Sequence, residues 1–397
     1  MKNITVFKSC NQKNTVLLLI LPLALLFLSV VSIHIGTVHA AITNATKKTT
    51  IPAYEITTRG NLFNAQGLGG EGYHDAYPLL DIKNLNATCP DEVAIFVHGW
   101  GQNETQAKER FDRVKMSLEN NSYKYPLIGF SWDANTEWLA AKYIAKWNGP
   151  KLADFIVALT DHCKDSKVMK IRLISHSLGA RVILSALDSL HKNAIWNSNN
   201  FTIPSVDLLG AAVDNEEVTT NPKYIVEDKT NWGSPKSDYG QAIQEEVVNF
   251  YNLYSKEDNV LEPYPETSLP IYPLFESDFA LGQNGSQKIP YDINKTKSLP
   301  SNYKDIDVTN EIKAIRDADG LEAEVYGLCN NNISNPYCEI KNKGWDLGLC
   351  NLIVFPPKCQ DNLALGDNHA GYIGFRNDNK SLLADDGAIN VVVSHWK

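Results

Sequence analysis

One serine in this chain is placed for nucleophilic chemistry. Ser177 lies in the pentapeptide Ser175–Gly179, between the mostly apolar residues 171–174 and the helix-forming residues 180–183. A strand, a tight turn and a helix in this order expose the serine Oγ and direct a helix N-terminus toward an oxyanion beside it. Ser175 stands where such turns usually carry glycine, and serine is the next smallest polar choice. The pattern predicts covalent catalysis by Ser177, which then needs an activating base.

The loop after an earlier strand is expected to supply the oxyanion site. Residues 93–97 form a continuous apolar run that is typical of a parallel strand buried on both faces. The run ends in His98-Gly99-Trp100, and a loop in this position brings a backbone N–H to the serine. We expect the N–H groups of Trp100 and Leu178 to hold the oxyanion. The alternative for His98-Gly99 is an ordinary turn at the end of a strand.

Strands and amphipathic helices alternate along this part of the chain. Residues 125–132, 206–213 and 247–254 are typical of strands. Apolar residues recur at helical spacing within 111–118 and 152–159. This alternation requires parallel pairing, with helices on both faces of the sheet. The predicted fold is therefore α/β, with a doubly wound and mostly parallel sheet.

Two aspartates compete for the role of the acid that orients the base. Asp214 follows the strand at 206–213, and Asp258 lies in the loop after the strand at 247–254. We prefer Asp258, because its loop closes with the apolar residues 260–261, which can bury the back of the carboxylate. Asp214 stays open as the alternative acid, although an aspartate after a strand often serves as a helix N-cap.

The base follows the acid if the chain order is Ser, Asp, His, which leaves His369 and His395. His369 lies in a polar loop flanked by glycines, which suits a mobile imidazole. His395 lies within residues 388–396, whose apolar residues share one helical face, so we expect it to be a solvated residue on a C-terminal helix. The predicted base is therefore His369.

Taken together, these residues resemble the α/β-hydrolase superfamily, in its lipase and esterase branch. The resemblance covers residues 90–310 and 365–397. Four segments are similar to a group of predicted archaeal α/β-hydrolases whose substrate is unassigned: residues 128–133, 148–153, 209–212 and 254–261.

The resemblance implies a nucleophile at Ser177, an acid at Asp258 and a base at His369. It also implies an α/β-hydrolase fold. A long cysteine-containing stretch separates the last expected strand, at 303–309, from His369, so we expect a disulfide-stapled insertion before the histidine loop. Secreted lipases of pancreatic type carry their acid after the earlier strand, which is the position of Asp214 in this sequence.

The strand order that the resemblance implies brings Cys89 and Cys163 together, at the end of the sheet away from the catalytic turn. We therefore predict a Cys89–Cys163 disulfide. Four further cysteines are expected to pair among themselves, in one of three connectivities: Cys329, Cys338, Cys350 and Cys359. Their spacings lack a C-x-x-C pair and no histidine lies among them, so no metal site is predicted.

The N-terminus predicts export. Lysines precede the apolar stretch at residues 16–35, and Val38-His39-Ala40 offers a small residue for cleavage. We expect a signal peptide over residues 1–40, with an uncleaved membrane anchor through residues 16–35 as the alternative. Residues 41–60 are expected to form a surface tether.

Cysteines and glycosylation sequons also favour export. Removal of Cys10 with the signal leaves an even number of the seven cysteines. N-glycosylation sequons are abundant, and they include those that begin at Asn86, Asn103, Asn120 and Asn200. We therefore expect a glycoprotein that is secreted or held on the extracellular face of the cell membrane.

Length and composition favour one large domain with an insertion. The chain has 397 residues, of which 43% are hydrophobic. We assign the core to residues 61–309, a Cys-rich insertion to 310–365, and the histidine loop with a C-terminal helix to 366–397. A net charge of -9 argues against nucleic acid as a partner. We expect no cofactor, and the sequence indicates no oligomeric state.

The combined pattern predicts an exported serine hydrolase. A small-molecule or lipid ester is the expected substrate, and an aromatic cluster is expected to flank its pocket: Trp100, Trp132, Trp138, Tyr143 and Trp147. One alternative is a peptidase or amidase on the same scaffold. Another is a non-catalytic cell-surface binding protein with a hydrolase fold.

Overall fold

The structure is a computed structural model. It describes residues 50–59, 74–77, 89–136, 138–165, 169–220, 238–258, 260–261, 280–288, 299–312, 369–376 and 383–397. The predicted signal peptide or anchor lies outside the described residues, as do the four late cysteines and most of the predicted insertion. Within the described residues, no helix combines the length and apolar character that crossing a membrane requires.

Among the described residues, eight strands join in one sheet: β1 (Ala53–Thr57), β2 (His74–Tyr77), β3 (Glu92–Val97), β4 (Leu127–Ser131), β5 (Lys170–His176), β6 (Ile203–Leu209), β7 (Val247–Tyr254) and β8 (Tyr303–Asp307). Their order across the sheet is β2-β1-β4-β3-β5-β6-β7-β8. Only β2 is antiparallel to its neighbour in this sheet. A separate antiparallel pair joins β9 (Phe375–Arg376) and β10 (Leu383–Asp385). The predicted doubly wound, mostly parallel fold is confirmed.

The described helices connect these strands: α1 (Glu104–Asn120), α2 (Trp138–Cys163), α3 (Gly179–His191), α4 (Ala194–Ser198), α5 (Gly240–Glu246), α6 (Leu281–Asn284) and α7 (Ile389–His395). Short 3-10 turns lie at Asn215–Val218, Gly285–Lys288 and Gly371–Ile373. The start of α1 is fixed by a capping box. The Asn103 side chain accepts from the Gln106 N–H, and the Gln106 side chain accepts from the Asn103 N–H.

Helices cover both faces of the sheet, so the core has two layers. Alternate residues of β3 point to opposite faces, and all of them are apolar and buried beyond its first residue. Ile95 packs in the layer beneath α2 and α3, whereas Phe96 packs with Phe111 in the layer beneath α1 and α7. A Cβ on Gly149 would lie 2.3 Å from the Ser185 Cβ, so a glycine lets α2 approach α3 closely.

Residues 53–57 differ from the expectation that 41–60 form a tether. They form β1, which pairs in parallel register with β4. The segment is only five residues long, but Ile56 is fully buried and the backbone completes the ladder beside β4. A short strand of this kind is stabilised by its partner strand more than by its own composition.

Cys89 and Cys163 form the predicted disulfide, with their Cα atoms 5.7 Å apart. The bond joins the residues before β3 to the end of α2. The prediction is confirmed, since β3 does lie beside β5 in the sheet.

Candidate active site

Ser177 lies at the turn between β5 and α3. Its φ of 55° is in the left-handed region, which residues other than glycine rarely adopt. The Ser177 N–H donates to the Leu209 carbonyl at 2.9 Å, and the Ala212 N–H donates to the Ser177 carbonyl at 3.2 Å. A Cβ on Gly179 would lie 2.4 Å from the Val97 carbonyl oxygen, so glycine is required there. This is the geometry of a nucleophile elbow.

His369 and Asp258 are in contact although 111 residues separate them. Nδ1 of His369 lies 2.7 Å from Oδ2 of Asp258. An ionised carboxylate only accepts hydrogen bonds, so Nδ1 carries the proton and Nε2 is left as the basic nitrogen. Asp258 is fully buried in the loop after β7, and its Oδ1 accepts from the Leu261 N–H at 3.2 Å. Nε2 of His369 is buried, and no hydrogen-bond partner for it lies among the described residues.

The ring of His369 lies beside the elbow. Its centroid is 4.7 Å from that of His176, the residue that precedes Ser177. Shortly after His369, Tyr372 is fully buried and donates its hydroxyl to the Gly282 carbonyl at 3.1 Å. The structure thus brings the predicted nucleophile, acid and base to the edge where β5 and β7 end.

The loop after β3 packs directly on Ser177. A Cβ on Gly99 would lie 2.7 Å from the Ser177 Cβ, so no larger residue fits. The Gly99 carbonyl accepts from Nδ1 of His98 at 2.8 Å. Because the C=O and N–H of a trans peptide point in opposite directions, this bond also fixes the direction of the Trp100 N–H. The second candidate donor, Leu178, is the N-cap of α3.

The neighbours of His98 hold it in one tautomer. Its Nε2 accepts from Nη2 of Arg59 at 3.0 Å and from the Trp132 N–H at 3.2 Å, so Nδ1 carries the proton. Burial lowers the pKa of His98 to about 3, and the charge of Arg59 acts in the same direction. His98 is therefore a neutral, fixed donor to the Gly99 carbonyl.

Asp214, the alternative acid, has a different partner. It is fully buried, and its Oδ2 lies 3.4 Å from Nη2 of Arg181. The same nitrogen lies 2.8 Å from Oε2 of Glu217. Arg181 is itself fully buried in α3, so these carboxylates neutralise a charge in the core. The carboxylate in contact with His369 is that of Asp258.

His395 does not have the solvated position expected for it. It lies in α7, but Nδ1 is 3.1 Å from Oδ1 of the buried Asp207, and its ring stacks on Tyr251 with centroids 3.9 Å apart. The expectation was wrong because the last turn of α7 packs against the sheet, where β6 carries the buried carboxylate of Asp207.

The aromatic residues expected around the pocket lie in different environments. Trp132 is fully buried in the core. The rings of Trp100 and Trp138 meet with centroids 5.0 Å apart, near the loop that packs on the elbow. Tyr143 and Trp147 pair on α2 at 5.8 Å, and Trp147 is 44% exposed.

One group of metal-ligating type lies among the described residues, at the ends of α3 and α5. Ligand atoms of His191, Glu245 and Glu246 lie within 4.8 Å of one another. Nδ1 of His191 lies 2.9 Å from Oε1 of Glu246, and the Trp196 indole N–H donates to the other oxygen at 2.6 Å. Hydrogen bonding accounts for the group, and we assign it no metal.

Sequence reasoning missed two residues that contact the site, Arg59 and His176. The sequence pattern places Arg59 in the tether, although it lies two residues beyond the end of β1. For His176 the sequence pattern indicates only a place in the turn. Its position next to the serine is a signal that could have drawn attention to it.

The fold, with its elbow after β5, is that of the α/β-hydrolases. Residues 81–263 match the model of a family described as "Alpha/beta hydrolase of unknown function (DUF900)". The fold and this match support the α/β-hydrolase superfamily for this chain. No curated protein sequence matches it.

Solved structures with a similar fold include three enzymes. Lipase B from Aspergillus fumigatus is 12% identical over 56% of this chain and 45% of that chain, with a TM-score of 0.31. Phospholipase PlaB from Legionella pneumophila is 14% identical over 42% of this chain and 38% of that chain, with a TM-score of 0.26. An acetyl xylan esterase is 10% identical over 41% of this chain and 82% of that chain, with a TM-score of 0.26. The chain spans less than half the length of the lipase and the phospholipase.

Proposed function

We propose that this chain is an exported serine hydrolase that cleaves carboxylic esters or lipids through an acyl-enzyme. The observation that carries the proposal is the 2.7 Å contact between His369 and Asp258, with the His369 ring beside the elbow of Ser177. A carboxylate on Nδ1 selects the tautomer of the neutral imidazole in which Nε2 carries the lone pair, which a general base requires.

The proposed mechanism begins when Nε2 of His369 takes the proton from Ser177 Oγ, which attacks the ester carbonyl carbon. The N–H groups of Trp100 and Leu178 hold the resulting oxyanion. His369 gives the proton to the leaving alcohol as the C–O bond breaks, and an acyl-serine is left. Water then gives a proton to His369 and attacks the acyl-serine carbonyl carbon. As the acyl C–O bond breaks, His369 returns a proton to Ser177 Oγ, which releases the acid and restores both residues. Asp258 stays ionised and stabilises the imidazolium.

An apolar acyl group is the proposed specificity. The paired rings of Trp100 and Trp138 support it, because one of them belongs to the loop that packs on Ser177. Aromatic faces beside a reacting carbonyl bind apolar chains without needing a polar partner.

Export is part of the proposal. The Cys89–Cys163 disulfide supports it, since disulfides persist in oxidising compartments. Signal cleavage after Ala40, the pairing of the four late cysteines and the archaeal likeness stay predictions. N-terminal sequencing of the exported protein tests the cleavage: Ala41 as the first residue supports it, and an intact N-terminus favours the membrane anchor.

Hydrolysis of p-nitrophenyl esters with short and long acyl chains by the full chain tests the activity. We expect Ser177→Ala to abolish both turnover and labelling by a fluorophosphonate probe. The control is Ser198→Ala, because Ser198 is an exposed serine at the end of α4 and its loss leaves the site intact. Ester turnover that survives Ser177→Ala would refute the mechanism. Faster turnover of p-nitroanilides than of esters would favour the peptidase or amidase alternative.

A further inference from the structure

His176 joins the nucleophile elbow to the histidine loop. Its Nε2 lies 2.7 Å from the backbone carbonyl oxygen of His369, although 193 residues separate the two in the chain. A carbonyl oxygen only accepts hydrogen bonds, so Nε2 of His176 carries the proton and donates it. The same side chain precedes Ser177, so one residue contacts the loop of the base and is covalently linked to the nucleophile.

The side chain of His176 is suited to be a permanent neutral donor. It is 7% exposed, and burial lowers its pKa well below the usual value, with His369 acting in the same direction. A neutral donor adds no positive charge beside a base that must itself become positive.

Two hydrogen bonds then hold His369 at different points. Asp258 holds Nδ1 of the ring at 2.7 Å, and His176 holds the backbone of the same residue. The contact with Asp258 alone leaves the imidazole free to pivot about that oxygen. Fixing the backbone as well restricts this pivot and sets the position of Nε2 relative to Ser177.

We infer that His176 is a positioning residue for the base: its Nε2–H holds the His369 carbonyl and so directs Nε2 of His369 toward Ser177. The inference rests on the proposed function. It goes beyond that function by assigning a role to a residue that takes no part in bond making or breaking.

The histidine loop has other anchors, so loss of the His176 bond leaves the loop folded. The Tyr372 hydroxyl donates to the Gly282 carbonyl, and the Ala388 N–H donates to the Tyr372 carbonyl at 2.9 Å. These contacts hold the chain three residues beyond His369. They do not fix the His369 carbonyl itself.

The test compares His176→Phe with His176→Gln in the full chain. Phenylalanine keeps a ring but has no donor, whereas the glutamine amide carries a donor at the same number of bonds from Cα as Nε2. Misplacing a catalytic group by ~1 Å costs about 100-fold in rate, so we expect His176→Phe to lower kcat by about 10–100-fold with KM unchanged. His176→Gln should recover most of kcat. A melting curve of each variant shows whether it is folded.

Fluorophosphonate labelling separates this inference from the proposed function. A wild-type protein that is not labelled overturns the proposed function and this inference with it. A labelled wild type with an equal labelling rate and equal kcat for His176→Phe overturns this inference alone, as does a folded His176→Gln as slow as His176→Phe. If His176→Phe does not fold, His176→Met takes its place, because methionine is flexible and also lacks the donor.

Discussion

Nη2 of Arg59 lies 3.0 Å from Nε2 of His98, so an arginine at the end of β1 donates to a histidine in the loop that packs on Ser177. The other ring nitrogen of His98, Nδ1, donates to the Gly99 carbonyl. The contact with Arg59 fixes the His98 ring and therefore also orients that carbonyl. Arg59 also donates to the Gln102 carbonyl at 3.2 Å, at the other end of the loop. One cation thus holds both ends of the loop expected to bind the oxyanion.

Arg59→Met is expected to lower kcat on p-nitrophenyl esters by about tenfold, with a smaller effect on KM. Removing an oxyanion donor costs about 100–1000-fold in kcat, and loosening the support of a donor costs less. The control is Lys192→Met, since Lys192 is an exposed cation that pairs only with Asp188 among the described residues. An unchanged kcat for a folded Arg59→Met would show that the loop is held without the arginine.

The candidate nucleophile and acid could be predicted from the sequence, because they lie in loops that directly follow strands. A parallel sheet brings the carboxyl ends of its strands to one edge, so residues after β5 and β7 meet there whatever their separation in the chain. The strand predicted at 247–254 has the same bounds as β7. Buried strands of this length have a strong apolar pattern in the sequence. Once such a strand is predicted, the position of the loop that follows it is also predicted.

The roles of Arg59 and His176 could not be predicted, because each depends on a side-chain contact with a residue that is distant in the sequence. Arg59 follows a strand of only five residues, and that strand is defined by its pairing with β4, which lies far along the chain. His176 has a partner 193 residues away, in a loop whose position depends on the whole sheet. Local patterns do not encode such contacts.

Asp258→Asn is expected to lower kcat, whereas Asp214→Asn is expected to lower the stability of the fold. An asparagine at 258 can donate to Nδ1 of His369 and move the proton to Nε2, so we expect kcat to fall by about 10⁴-fold with little loss of stability. Asp214→Asn weakens a fully buried contact with Arg181, so we expect it to lower the free energy of unfolding by about 3 kcal/mol. It should leave kcat within a few-fold of wild type.

Steady-state kinetics and urea unfolding of both variants give the two readouts. If Asp214→Asn abolished turnover while the protein stayed folded, and Asp258→Asn did not, the acid would have to be reassigned to Asp214.

Ser175→Ala is expected to raise the free energy of unfolding by about 1 kcal/mol. Ser175 is fully buried at the first position of the elbow, and its Oγ has no partner among the described residues. An unsatisfied buried hydroxyl costs about 1–3 kcal/mol, so its removal is favourable. Ser185→Ala is the matched control, because Oγ of Ser185 donates to the Lys146 carbonyl at 2.7 Å and its loss should destabilise the protein. Urea unfolding measures both, and a destabilised Ser175→Ala would contradict the prediction.

Acid is expected to destabilise the protein through His98. The pKa of this histidine is lowered from 6.5 to about 3 in the folded chain, chiefly by burial, so between these values the unfolded chain binds a proton that the folded chain does not. Stability is therefore complete above about pH 6.5 and falls as the pH decreases toward 3, by about 1.4 kcal/mol per pH unit for one histidine. Urea unfolding at several pH values measures this slope. In His98→Gln the slope should be smaller by that amount, since glutamine does not titrate and all other groups are unchanged. Parallel curves for the two proteins would mean that His98 is protonated in the folded chain as readily as in the unfolded one.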